Sequence, residues 1–144
     1  MIKRIIFVSL VILFLNLIWE FSHHNLYIDL TAIPSNIHLV LASFMDVFLI
    51  LFFLSVITLK NKNINWLKKP SGKDYLIFVI IAMSFAFIWE IINLYLGRWQ
   101  YTSSMPKVLG VGLSPLLQLA VTGSIALYIN FAIFFHAKSS KRQE

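Results

Sequence analysis

Four long apolar runs, Ile5–Phe21, Ile37–Leu59, Tyr75–Leu96 and Leu113–Phe135, take up most of this chain of 144 residues. A helix rises about 1.5 Å per residue and the hydrocarbon core of a bilayer is about 30 Å thick, so each run is long enough to cross it. Little sequence is left for a separate soluble domain. The expected fold is all-α: an integral membrane four-helix bundle forming a single transmembrane domain over 1–144. Composition agrees, with 59% hydrophobic and 12% charged residues, against about 45–50% and about 25% in a soluble domain.

The net charge of +6 would suggest nucleic acid in a soluble protein. Its distribution gives another meaning. Lys3 and Arg4 precede the first run, Lys60, Lys62, Lys68, Lys69 and Lys73 lie between the second and third, and Lys138, Lys141 and Arg142 follow the fourth. The other two loops hold only Arg98 and Lys107. The positive-inside rule then places both termini and the middle loop in the cytoplasm, in a multi-pass protein of the cell membrane. Trp66, Tyr75, Trp99 and Tyr101 fall near run ends, where amphipathic rings meet the interface. "MIKR" and the apolar stretch after it resemble a signal peptide, but "WEFSHHNLY" offers no small-residue cleavage site, so an uncleaved helix is expected. Cysteine is absent, which removes disulfides, thiolate metal sites and cysteine nucleophiles.

The chain repeats itself. Trp19-Glu20 recurs as Trp89-Glu90, Asn25-Leu26-Tyr27 as Asn93-Leu94-Tyr95, and Pro34 stands before Asp46 as Pro106 stands before Gln118. Two parallel repeats of two helices each, about 5–59 and 75–135, are expected, related by an axis along the membrane normal. Ser114 is a candidate cap of the fourth helix, with Pro115 at its first position.

Half of the six acids fall inside the apolar runs. By residue count, Glu20 and Glu90 stand about 23 Å up their helices and Asp46 about 14 Å below the outer end of its own. An ionised carboxylate at a helix centre costs about 2.5–3.5 kcal/mol on insertion scales, so such residues face the bundle interior or a watery cavity. Helical spacing gathers Ser9, Asn16, Glu20 and His23 on one face, Ala42 and Asp46 below His38 on a second, and Glu90, Asn93 and Gly97 on a third. Ser114, Gln118, Thr122, Ala126 and Asn130 form a continuous stripe on the fourth helix. These stripes predict a polar pocket in the outer half of the bundle. Glu20, Asp46 and Glu90 are its candidate catalytic acids or bases, and Asn16, Asn93, Trp99, Tyr101, Gln118 and Thr122 its candidate substrate-binding residues. For Asn16, Thr122 and Asn130 the plainer reading is interhelical hydrogen bonding, which contributes about 0.6 kcal/mol per bond in a membrane protein. Glu20 and His23 also form E-x-x-H, a spacing of di-iron bundles. With His24 and His38 nearby they are a metal alternative, but the second half has Asn93 in place of the second histidine. No metal or other cofactor is expected. No nucleophile elbow, phosphate-binding glycine loop or H-E-x-x-H is present.

The stretch "GRWQYTSSMPKVLGVGLSPLLQLAVTG" resembles a family of small multi-pass prokaryotic membrane proteins with no assigned activity. The resemblance rests on Trp89-Glu90, Gly97-Arg98-Trp99 with Tyr101, Met105-Pro106 and the G-x-G-L-x-P-x-x-Q run from Gly110 to Gln118. It extends to Trp19-Glu20, Leu26-Tyr27 and Asp46 in the first half, and implies a fold without a mechanism. More distantly, the second half looks like membrane carotenoid cyclases and hydratases, although the Pro-Glu signature of the cyclases is missing and there are only four spans. That likeness implies carboxylic acids that protonate a polyene.

Three functions fit the residues. The first is an enzyme acting on an isoprenoid or other lipid, with Glu20, Asp46 or Glu90 as general acid or base. The second is a small transporter or proton-coupled carrier using the same acids. The third is an accessory subunit whose stripes recognise a partner's helices. The expected partners are membrane lipid and an apolar small molecule, and nucleic acid is excluded. A homo-oligomer is compatible with the sequence.

Overall fold

The structure, a computed structural model, describes residues 1–140, and the side chains of residues 1–134. The side chains of Phe135, Lys138, Lys141 and Arg142, used above to place the last span and its flank, lie outside the described residues.

Four helices carry the chain: α1 (Ile2–His23), α2 (Ser35–Asn61), α3 (Gly72–Tyr95) and α4 (Leu113–Ser140). Each contains a segment long and apolar enough to cross a membrane, so the all-α, four-helix membrane architecture holds and the protein is a multi-pass membrane protein. The helices are apolar on nearly every face, as spans are. Ile6, Leu10, Phe14 and Ile18 form an exposed row on α1, and Phe44, Phe48 and Phe52 another on α2. In water such rows would be an aggregation surface; in lipid they are the natural outer face. The central helix is α4, with 50% of its apolar window buried against 17% in α1.

Local chemistry sets the helix ends. At the end that holds the chain termini, α2 stops at Lys62, whose φ is 49° and whose N–H donates back to the Leu59 carbonyl. A short 3-10 turn (Ile64–Lys68) follows. Ser71 and Asp74 then open α3 with a reciprocal capping box, which satisfies two N–H groups that the first turn leaves free. Asp74 also accepts from Asn61 Nδ2 at 2.8 Å, so it ties the end of α2 to the start of α3. At the opposite end, Gly97 at φ 66° turns the chain out of α3.

This opposite end carries four short strands: β1 (Tyr27–Asp29), β2 (Trp99–Tyr101), β3 (Lys107–Val108) and β4 (Val111–Gly112). β1 pairs antiparallel with β2, Tyr27 opposite Tyr101 and Asp29 opposite Trp99. β3 pairs with β4 across Leu109 and Gly110, both at positive φ, the backbone of a two-residue primed turn. Between strands and termini lies the apolar core, which includes Ile12, Ile50, Phe53, Phe78 and Leu127. Toward the strand end it gives way to a polar layer of Asn16, His23, Glu90, Asn93, Gln118 and Thr122, all buried.

Candidate functional site

Gln118 is the hub of the polar layer. It sits on the buried stripe of α4, 5% exposed, and its Nε2 faces three oxygens on two other helices. Glu20 Oε1 and Asp46 Oδ2 are each 2.7 Å away, and Asn16 Oδ1 is 3.2 Å away. Turning the amide over would set its oxygen against three others, so the nitrogen belongs here. It nevertheless has only two hydrogens for three acceptors. Thr122 closes the network, donating to the Gln118 carbonyl at 2.8 Å and lying 3.3 Å from Asn16 Oδ1. The counted depths of Glu20 and Asp46 differ by several ångström, and the single long amide bridges them.

Glu90 is anchored separately. Its Oε2 accepts from the Tyr101 hydroxyl and from Trp99 Nε1 at 3.3 Å, both on β2. Glu90, expected in one pocket with Glu20, Asp46 and Gln118, is held by the strand, and no hydrogen bond joins it to Gln118 among the described residues. β1 brings in Tyr27, whose ring lies edge-on to His23, Trp99 and Tyr101 at centroid distances of 5.4, 6.2 and 5.5 Å. The Tyr27 hydroxyl makes no hydrogen bond among the described residues. Burial, then the charges of Glu90, Tyr101, Glu20 and Asp46, push its phenol far above the ordinary value. Its ring therefore stands where the fields of all three acids meet. Burial and the hydrogen bond to Glu90 likewise push Tyr101 up, so both phenols stay protonated donors.

Each acid follows one pattern. One oxygen is anchored, and the other (Glu20 Oε2, Asp46 Oδ1, Glu90 Oε1) carries no hydrogen bond among the described residues. None of these three oxygens is among the fully occluded polar atoms without partners. No cation balances them, since the one salt bridge among the described residues joins His38 to Asp29.

Other expected residues are placed differently. Asn93 is spent on the end of α3, its Nδ2 donating to the Trp89 carbonyl at 2.7 Å and its Oδ1 accepting from Arg98 Nη1 at 3.0 Å. It is wholly buried and holds the helix end, so it does not line the cluster. Trp19 Nε1 donates to Ser114 Oγ at 3.2 Å; α4 already begins at Leu113, so Ser114 clasps α1 instead of capping α4. The metal alternative does not assemble. His23 Nδ1 meets the Trp19 carbonyl, His24 Nδ1 meets that of Phe21, and His38 meets Asp29. Among the described residues no three His, Asp or Glu side chains are grouped to hold a metal ion. Cavities of about 430 and 170 Å³ lie at the terminal end, lined by residues such as Tyr75 and Tyr128, or Arg4 and Asn130. At the strand end the predicted pocket is a hydrogen-bonded cluster.

Tyr27 is the residue that sequence reasoning passed over as a site member. The aromatic alternation in Trp99-Gln100-Tyr101 was the available signal, a strand pattern too short to register beside interfacial rings.

Fold and site define a four-span membrane protein with a buried carboxyl–amide cluster under an aromatic two-stranded cover. No family model, curated protein or solved structure matches the chain.

Proposed function

We propose that this is a cytoplasmic-membrane protein with both termini inside, whose outer-half acids act on an isoprenoid or other apolar lipid by acid–base chemistry. The observation that carries the reading is the shared pattern of Glu20, Asp46 and Glu90: one oxygen anchored, one free, and no cation in contact. An acid needed only to join helices would use both oxygens or take a basic partner. A protonated carboxyl adds its hydrogen to one carbon of a C=C bond, leaving a carboxylate and a carbocation. A neighbouring carboxylate then removes a hydrogen from the adjacent carbon. The sum is redox-neutral, an isomerisation or cyclisation, and needs no cofactor. Tyr27 and Tyr101 serve as neutral donors that hold the proton balance of the cluster. The distant likeness to carotenoid cyclases agrees with this chemistry, while the resemblance to small prokaryotic multi-pass proteins bears on the fold alone.

The two halves are part of the same proposal. Ile28 and Gln100, at the centre of the paired strands, share the spacing of Pro34 with Pro106 and of Asp46 with Gln118. His23 and Asn93 make the same contact, each to the carbonyl of the tryptophan four residues earlier. These equivalences support parallel repeats. On these equivalences Tyr95, 90% exposed, does not align with Tyr27, and the Asn-Leu-Tyr match falls outside the proposed repeat.

Extraction in mild detergent with mass spectrometry of what copurifies tests the function. A bound apolar molecule, lost on Asp46→Asn, is expected. Protein recovered without one but moving protons in vesicles would make it a carrier, and a stoichiometric second protein would make it a subunit.

A further inference from the structure

At the terminal end, far from the acids, two occluded polar atoms of opposite kind lack partners among the described residues: Arg4 Nη1, a donor, and Asn130 Oδ1, an acceptor. Both residues line the cavity of about 170 Å³, with Ser55, Thr58 and Leu67 beside them. Asn130 is wholly buried, and its Nδ2 is fixed on the Leu67 carbonyl at 2.9 Å, which holds the orphan oxygen in one direction. Arg4 is held by Phe134, whose ring centroid is 4.3 Å from the guanidinium carbon, a contact that leaves Nη1 unused. Thr58 has no need of an occupant, because it donates to the Leu54 carbonyl and accepts from Trp66 Nε1, both at 2.9 Å. A buried polar group left unpaired is costly, and a charged one more so. Two in one cavity call for an occupant.

The occupant has to offer an anionic oxygen to Arg4 and a hydrogen to Asn130, within walls that are otherwise mostly apolar. The space holds a handful of waters at about 30 Å³ each, or one phosphate-sized group. Arg4 stands in the first turn of α1, at headgroup level, and Ser55 on the rim is exposed on the lipid-facing side. We propose that this cavity binds the headgroup of an anionic phospholipid, its phosphate oxygen on Arg4 Nη1 and a headgroup hydroxyl donating to Asn130 Oδ1. A zwitterionic choline lipid offers neither net charge nor donor. Guanidinium suits phosphate better than ammonium does, which gives Arg4 a role distinct from that of the lysines around it.

Native mass spectrometry of the full chain in mild detergent tests this with phosphatidylglycerol, phosphatidylcholine and inorganic phosphate as probes. Phosphatidylglycerol is expected to bind about tenfold tighter than phosphatidylcholine, the worth of one hydrogen bond from its headgroup hydroxyl. Asn130→Ala should abolish that preference, Arg4→Gln should weaken binding of both lipids, and Lys3→Gln, which removes an exposed charge outside the cavity, should change neither. Ser55→Trp should also abolish the preference by filling the mouth with Arg4 and Asn130 intact, which keeps the test open if Asn130→Ala or Arg4→Gln fails to fold. Equal binding of the two lipids, an equal loss in Lys3→Gln, or no adduct at all would overturn the proposal, the last leaving only water in the cavity. Displacement of the lipid by inorganic phosphate would overturn it in favour of a free-anion site.

Discussion

Two side chains in the cover separate a role in the site from a role in the fold. Tyr27 contributes ring contacts to His23, Trp99 and Tyr101, while its hydroxyl bonds to nothing described. Tyr27→Phe keeps the packing, so stability should change by less than about 0.5 kcal/mol, while retention of the apolar ligand falls; detergent denaturation beside mass spectrometry reads both. Asp29 works on the fold. Burial alone would raise its carboxyl, but hydrogen bonds from His38 and Thr31 outweigh that and hold it below its ordinary value of 3.8. A carboxyl held below its unfolded value contributes stability that is present above that value and fades as pH falls through the folded one. Acidification below about pH 3.8 should therefore loosen the loop between β1 and α2, seen as lower hydrogen-exchange protection of the Thr31 amide, which donates to Asp29 Oδ1. Asp29→Asn should remove that pH step.

Among the elements, the close approach of α4 to α3 at Gly123 is the easiest to challenge. A Cβ on Gly123 would lie 2.2 Å from Phe78 Cζ and 2.7 Å from Cε1, and Phe78 is fully buried. Gly123→Ala should cost about 1–3 kcal/mol by overpacking, and Phe78→Leu in the same chain should recover part of it. The helices themselves were legible because span length and hydropathy depend on local sequence alone. So was the inward face of α4, whose four-residue steps are a helical property. The strands were not legible. Each is three residues or fewer, and β1 meets β2 only because α1 and α3 deliver both segments to one end, so the pairing belongs to the tertiary fold. For the same reason the hydrogen bonds of Glu90 to Trp99 and Tyr101 on β2 were not legible. Ser71 and Asp74 did carry a readable S-x-x-D capping signal. Under the proposed repeat the Asn-Leu-Tyr match falls in a different register from the strands, where the loop after α1 has a 3-10 turn (His24–Leu26).

For the whole molecule, four spans put both termini at one end and the paired strands at the other. Single cysteines report cleanly in a chain without any. A membrane-impermeant thiol reagent added outside intact cells should label Ser103→Cys at the strand end and leave Lys62→Cys untouched, both positions being exposed. The reverse pattern would invert the protein and place the acids in the inner leaflet. With the termini inside, as proposed, the bundle would have an acid cluster toward the outer face and a headgroup-level cavity toward the inner one, separated by the apolar core around Ile12, Ile50 and Phe78.

The most direct test of the acid–base account replaces Glu20, Asp46 and Glu90 by their amides, one at a time, and follows retention and conversion of the copurifying lipid beside membrane yield. Each amide keeps an oxygen that can accept from Gln118 or from Tyr101, so folding and yield should match the parent. Conversion should fall by about 10²-fold or more, as loss of a general acid or base does, with Asp46→Asn the most severe because Gln118, its counterpart under the proposed repeat, is already an amide. Parent-like conversion in all three would contradict the account and make the cluster a set of helix ties.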